Sequence, residues 1–176
     1  FGYRRQRQMC IRDRYNKDGL NIPELFKHIA KNPSVKGFQG GEDYEGEILE
    51  IECDVLIPAA VGGVITSSNA GKIKTNVLIE GANSPTTLNA DKILRENGVM
   101  IIPDILANAG GITASYFEWV QNTQNYLWKE TELHEKLIDV MLTSFEEVWT
   151  ISQKQNCDLR TACLLYTSPS PRDPRE

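Results

Sequence analysis

Three short apolar runs recur along the middle of the chain at an interval that few folds accommodate. They are Val55-Leu56-Ile57, Val77-Leu78-Ile79 and Val99-Met100-Ile101-Ile102, with first residues 22 positions apart each time. Each run is continuous rather than alternating, the pattern of strands buried on both faces in a parallel sheet covered by helices. The interval holds one short helix and two loops, which predicts repeated strand-helix-strand crossovers. Between the second and third runs the sequence predicts a helix capped at Thr86-Thr87, with Leu88, Ala90, Ile93 and Leu94 on its apolar face and Gly98 as its stop. Between the first and second, Gly62-Gly63, Ser67-Ser68 and Gly71 leave room only for a short or irregular helix. Upstream, Ile22-Pro23-Glu24-Leu25-Phe26 opens a helix, with Pro23 suited to its first turn, that runs to about Lys31 before Asn32-Pro33 ends it. After the third run the pattern turns to helix for good: Leu133, Leu137, Met141 and Phe145, followed by Val148 and Trp149, make a core-facing stripe. The expected class is α/β, a doubly wound parallel sheet followed by C-terminal helices.

At 176 residues the chain corresponds to one domain or part of one. Its net charge of -5 provides no electrostatic footprint for nucleic acid or an anionic membrane, so neither is expected as a partner. No apolar run approaches the roughly 18 residues of a membrane span, and no export signal stands at the N-terminus. Four cysteines without a Cys-x-x-Cys, and two distant histidines, predict neither a metal site nor a disulfide framework. The expectation is a reduced, cytoplasmic chain.

Both termini differ in character from the middle. Arg4-Arg5-Gln6-Arg7-Gln8-Met9-Cys10-Ile11-Arg12-Asp13 resembles the translation, in one frame, of the adapter and transposon end used in tagmented sequencing libraries. Cys163-Leu164-Leu165-Tyr166-Thr167-Ser168-Pro169-Ser170-Pro171-Arg172-Asp173 resembles the partner adapter read as its reverse complement. The alternatives are a basic arm at one end and a disordered Ser-Pro tail at the other. The expected division is therefore 1–14 and 163–176 as adapter translation, with 15–162 as the natural segment. Cys53 and Cys157 are then lone reduced thiols.

In an open parallel sheet, ligands bind outside the carboxyl ends of the strands. Those positions carry Pro58-Ala59-Ala60, Glu80-Gly81-Ala82-Asn83, and Pro103-Asp104 followed by Asn108-Ala109-Gly110-Gly111. Small residues let a flat ligand approach the backbone, and the amides of Asn83 and Asn108 both donate and accept, as pairing with a carboxamide requires. Turn formation alone would also place Asn and Gly at strand ends. Asp54 and Asp104 read as structural, His28, His134 and Cys53 as packing or surface residues, and Glu118 as a salt-bridge or capping partner.

Three ordered motifs carry a resemblance. Cys53-Asp54-Val55-Leu56-Ile57-Pro58-Ala59-Ala60, Glu80-Gly81-Ala82-Asn83-Ser84-Pro85-Thr86 and the run from Pro103-Asp104-Ile105-Leu106-Ala107-Asn108-Ala109-Gly110-Gly111 through Ile112-Thr113-Ala114-Ser115-Tyr116-Phe117-Glu118-Trp119-Val120-Gln121-Asn122 resemble the C-terminal domain of glutamate dehydrogenases. The wider family comprises glutamate, leucine, phenylalanine and valine dehydrogenases. The resemblance extends from about Tyr15, near Asp18-Gly19-Leu20, to Leu159-Arg160-Thr161-Ala162. It implies a partial Rossmann-like sheet with the later strands only, and NAD- or NADP-dependent interconversion of an L-amino acid with its 2-oxo acid and ammonia. It also implies a parent that is a homo-oligomer, a hexamer.

By position in that resemblance, Ala59, Ala60, Asn83 and Asn108 line the cofactor pocket, and Gly111, Ile112 and Ser115 face the amino-acid substrate. The Ser115 hydroxyl suits a substrate with a side-chain carboxylate, because an aliphatic substrate would leave it unpaired. A helix serine bonded to its own backbone is the plainer alternative. The family's catalytic lysine and carboxylate belong to an N-terminal substrate domain that these residues do not include. No catalytic residue is therefore assigned, and the sequence contains no Gly-x-Gly-x-x-Gly turn. The expectation is an inactive piece of a glutamate dehydrogenase that folds poorly alone because a strand edge is left unpaired. A leucine, phenylalanine or valine dehydrogenase, and a non-catalytic binding or oligomerisation module, are the alternatives.

Overall fold

The computed structural model describes residues 14–44 and 46–167. Of the two terminal segments set apart above, only Arg14 and residues 163–167 fall among them, and the Ser-Pro tail lies outside. The chain divides into two compact units, one ending at Ile51 and one beginning at Glu52.

In the first unit, Tyr15 and Glu42 exchange two backbone hydrogen bonds of 2.9 Å as an isolated antiparallel bridge. Helix α1 (Ile22–Ile29) starts as its sequence predicts: Asn21 caps it by accepting from the Glu24 amide at 3.2 Å, and Pro23 sits in the first turn. It stops short of Lys31 because the amides of Lys31 and Asn32 both turn back onto the His28 carbonyl. The His28 ring meets the Lys36 carbonyl at 3.2 Å and the edge of buried Phe38, which makes it a packing residue.

The second unit holds the sheet. Strands β1 (Cys53–Leu56), β2 (Thr75–Ile79) and β3 (Met100–Ile102) are parallel in the order β1-β2-β3, with Val55 opposite Val77 and Leu78 opposite Ile101. The first crossover contains only a 3-10 turn at Ala70–Lys72, as its glycines and serines predict. The second contains helix α2 (Leu88–Glu96). Among the described residues after β3 the regular elements are all helices: α3 (Asp104–Ala107), α4 (Gly110–Gln124), α5 (Glu130–Gln155) and α6 (Leu159–Thr167). The class is the expected one, α/β with later strands followed by helices.

Burial is confined to one face of the sheet, at Leu78 of β2 and Ile101 of β3 opposite it, while Val77 and Ile79 on the other face of β2 are only half-buried, a departure from the expected burial on both faces. Val55 in β1 is 46% exposed and Met100 in β3 is 43% exposed. Val55, Val77 and Met100 lie in register on that less covered face. Helix α2 also departs from its predicted face. Leu88 is 85% exposed, and the buried side is Ala90, Asp91 and Leu94. Thr87 occupies the cap position without a side-chain cap hydrogen bond, and the Thr86 hydroxyl is buried with no partner. The backbone here follows a parallel bridge instead: Ile65 donates to Pro85 and accepts from Thr87, both at 2.9 Å. Gly98, with φ +81, ends the helix in the left-handed region, as predicted.

One core cluster joins the helices to the sheet: Leu106 of α3, Val148 of α5, and Leu159, Ala162 and Cys163 of α6, with Ile102, Phe145, Ile151 and Cys157 packed against them. The stripe on α5 therefore reaches the core through Phe145 and Val148, while Trp149 stacks on Phe145 at 6.1 Å and stays partly exposed. Glu118 on α4 is exposed and forms no ion pair among the described residues, contrary to its expected role. The contrast between centre and edge is directly measurable by urea denaturation. Leu78→Ala is expected to cost about 2–5 kcal/mol, and Val55→Ala less than about 1 kcal/mol.

Candidate functional site

The loops leaving the three strands meet at the carboxyl end of the sheet. Ala82 donates to the Pro58 carbonyl at 2.9 Å and Gly63 to the Ser84 carbonyl at 2.8 Å, which ties the loop after β1 to the loop after β2. Two glycines make this approach possible. A Cβ on Gly62 would stand 2.8 Å from the Asn83 carbonyl oxygen, and one on Gly81 would stand 3.0 Å from the Ala59 Cβ. The loop after β3 joins through the amides: Asn108 Nδ2 donates to Asn83 Oδ1 at 2.7 Å and approaches the Gly81 carbonyl at 3.4 Å. Asn83 Nδ2 and Asn108 Oδ1 make no hydrogen bond among the described residues, which leaves the pair one donor and one acceptor to offer.

Beneath this pair lies an ion-pair network. Glu80 follows β2 directly and is fully buried. Its Oε1 accepts from Arg160 Nη2 at 2.8 Å and its Oε2 from the Asp104 amide at 3.0 Å. Asp104 Oδ2 in turn accepts from the Ser84 amide at 2.7 Å, and its Oδ1 lies 3.7 Å from Arg160 Nη1. Ser84 holds φ +47, a left-handed conformation that costs a non-glycine residue energy and persists where neighbours over-determine it. Arg160 also donates through Nε to Asp91 at 3.0 Å. Arg95 bridges Asp91 and Asp158, each at 2.8 Å.

A family model described as Glutamate/Leucine/Phenylalanine/Valine dehydrogenase matches residues 14–167. The chain belongs to that family. It is 46% identical over 151 residues to the catabolic NAD-specific glutamate dehydrogenase RocG of Bacillus subtilis, an alignment covering 86% of this chain and 36% of the relative. The glutamate dehydrogenase of Peptoniphilus asaccharolyticus superposes with a TM-score of 0.70 at 34% identity, over 86% of this chain and 33% of that one. A hetero-hexameric glutamate dehydrogenase from Thermus thermophilus, in a leucine-bound form, superposes with a TM-score of 0.77 at 26% identity, over 85% and 35%. The chain spans about a third of the length of these relatives.

Within this dehydrogenase-family chain, the sequence-derived residues are unevenly assembled. Asn83 and Asn108 are joined directly, and Ala59 lies against Gly81. Ala60, Gly111, Ile112 and Ser115 are exposed, the last three on the first two turns of α4. The Ser115 hydroxyl donates to the Gly111 carbonyl at 3.1 Å, the helix back-bond that the plainer reading describes. Glu80 and Arg160 were visible only as members of motifs. A carboxylate placed straight after an apolar strand was the available signal, since such a group must find a cation.

Burial works against the charge on Arg160, but the hydrogen bonds and charges of Glu80 and Asp91 outweigh it and raise its pKa above the ordinary value. Burial likewise pushes the Cys163 thiol up, opposed by Arg160 and assisted by Asp104 and Asp158. At Asp158, burial favours the protonated form, yet the hydrogen bonds from the Thr161 amide and hydroxyl, with the charge of Arg95, hold the carboxyl below its usual value. A carboxyl depressed on folding contributes stability that is complete above the unfolded value of about 3.9 and is lost as pH falls through the lower folded value. Urea midpoints measured from neutrality to below pH 4 are expected to fall less steeply at the acid end for Asp158→Asn than for the unsubstituted protein.

Proposed function

We propose that the chain is part of an NAD- or NADP-dependent glutamate dehydrogenase that interconverts L-glutamate with 2-oxoglutarate and ammonia. The observation that carries this reading is the Asn83–Asn108 pair, set at the carboxyl end of a parallel sheet in a member of an amino-acid dehydrogenase family. Its unpaired nitrogen and oxygen match the acceptor and donor of a carboxamide, so the residues present fit the nicotinamide half of the cofactor. When bound, that group would accept the hydride released from the substrate carbon. Asn83 and Asn108 orient it, and Ala59, with Gly81 behind it, keeps the approach open.

Gly111, Ile112 and Ser115 are proposed to face the substrate. Ser115 would exchange its bond to the Gly111 carbonyl for a charge-assisted bond to the side-chain carboxylate of glutamate. The lysine and carboxylate that perform the proton transfers in this reading lie outside these residues, and the chain alone is inactive. Residues 1–14 and 163–176 are proposed to be adapter-derived, so that another residue fills the core position of Cys163 in the complete protein. A cytoplasmic, homo-oligomeric parent completes the proposal. The hetero-hexameric Thermus relative supports the number of six subunits, and the large apolar side chains of Tyr116 and Trp119 left exposed along α4 support association.

The test uses the complete open reading frame, recovered by extending the transcript through both junctions, and measures reduced-cofactor formation with L-glutamate, L-leucine and L-phenylalanine. Glutamate is expected to be preferred. Ser115→Ala is expected to lower kcat/KM for glutamate by about 10- to 100-fold, the worth of one hydrogen bond to a charged group. Activity on leucine or phenylalanine that ignores the substitution would move the protein to the sibling enzymes. A folded, complete protein without activity would leave a binding or oligomerisation module.

A further inference from the structure

We infer that Arg160 is a positioning residue for the Asn83–Asn108 pair, acting through Glu80 and Asp104 although it touches neither amide. The functional part of this inference rests on the dehydrogenase reading; the structural part does not.

The path is continuous and each link has a chemical reason. Arg160 enters from α6, the helix farthest along the chain, and its fork meets Glu80 Oε1 at 2.8 Å and Asp91 Oδ1 at 3.0 Å. Glu80 has no exposure to water, so its charge depends on that guanidinium. With Oε1 held, Oε2 is aimed at the Asp104 amide, an unsatisfied donor in the first turn of α3. This fixes where α3 begins and thereby where Asn108, at its C-terminal end, presents its side chain. Asp104 also holds the Ser84 amide through Oδ2, and Ser84 keeps its left-handed turn under that bond and the one its carbonyl accepts from Gly63. Asn83 is the adjoining residue. Both amides of the pair are thus anchored by one carboxylate chain, and one cation makes that chain tolerable.

Loss of the guanidinium leaves Glu80 and Asp104 facing each other across a single amide. Glu80, left without its cation in a site closed to water, is no longer held against the Asp104 amide. Glu80→Gln added to Arg160→Gln removes the charge while keeping an acceptor for the Asp104 amide, and should restore the arrangement. Arg160→Lys supplies charge without the fork and restores part of it.

The experiment is made on the complete protein with two readouts. The first is hydrogen exchange at the Ser84 amide, compared with amides inside α5. The second is KM for the pyridine nucleotide against kcat. For Arg160→Gln we expect Ser84 exchange at least about tenfold faster with α5 unchanged, and KM raised at least about tenfold with kcat within about threefold. Glu80→Gln in the same molecule is expected to reverse both. Unchanged Ser84 exchange overturns the inference, as does equal acceleration at Ser84 and α5 that Glu80→Gln does not rescue, since that pattern describes general loss of packing. A parent protein that reduces no nucleotide refutes the dehydrogenase reading instead, and the Ser84 exchange then still decides whether Arg160 holds the turn.

Discussion

A carboxylate with no access to water has to be matched, and Glu80 is matched by a guanidinium 80 residues further along the chain. Removing one partner of such a pair costs about 3–5 kcal/mol, because the survivor is left charged in a poor solvent. The rest of the second unit is arranged around this demand. Asp158 stands at the head of α6 and receives the Thr161 amide and hydroxyl, which orients the helix that delivers Arg160. Ser152 ends α5 by donating to the Cys157 carbonyl at 2.6 Å, setting the turn between the two helices. The apolar cluster of Leu106, Val148, Leu159 and Ala162 then presses α6 onto the sheet from which Glu80 emerges. Packing brings the helix near, and the ion pair selects its register.

The same network explains how a site is built from segments with little structure of their own. The loops after β1 and β2 contain hardly any helix before Leu88, and they approach each other closely at two glycines, Gly62 against Asn83 and Gly81 against Ala59. Small residues permit close approach but specify no position by packing. Definition comes instead from hydrogen bonds that run toward the charged cluster: Ser84 to Asp104, Asp104 to Glu80, Glu80 to Arg160. The left-handed turn at Ser84 is the strained point in that path, and it sits next to one of the two amides that face outward.

Much of this fold was legible because the buried strand signal is local. Val77-Leu78-Ile79 needs no knowledge of its neighbours to be read as a strand, and Pro23 and Gly98 act through their own φ angles. What escaped depended on partners distant in sequence. Leu88 looks like a face residue by spacing, but the bridge between Ile65 and Thr86 turns the helix so that Asp91 is buried instead. Asp91 tolerates burial only because Arg95 and Arg160 reach it. The Asn83–Asn108 contact was legible from topology, since parallel strands deliver their carboxyl ends to one edge. The carboxylates beneath it were legible only in part: Glu80 straight after an apolar strand signals the need for a cation, but nothing local points to Arg160, 80 residues further along.

An edge strand left half exposed and a charged cluster left fully paired have different consequences for the same unit. The exposed side of β1 offers unpaired backbone groups to whatever lies beside it, and an alternative neighbour there costs the sheet nothing. The cluster is selective in the other direction: its carboxylates are satisfied only when α6, α2 and both loops occupy their places together, and partial assembly leaves buried charge unmatched. The amide pair is therefore positioned by the cluster as a whole and not by any single strand pairing.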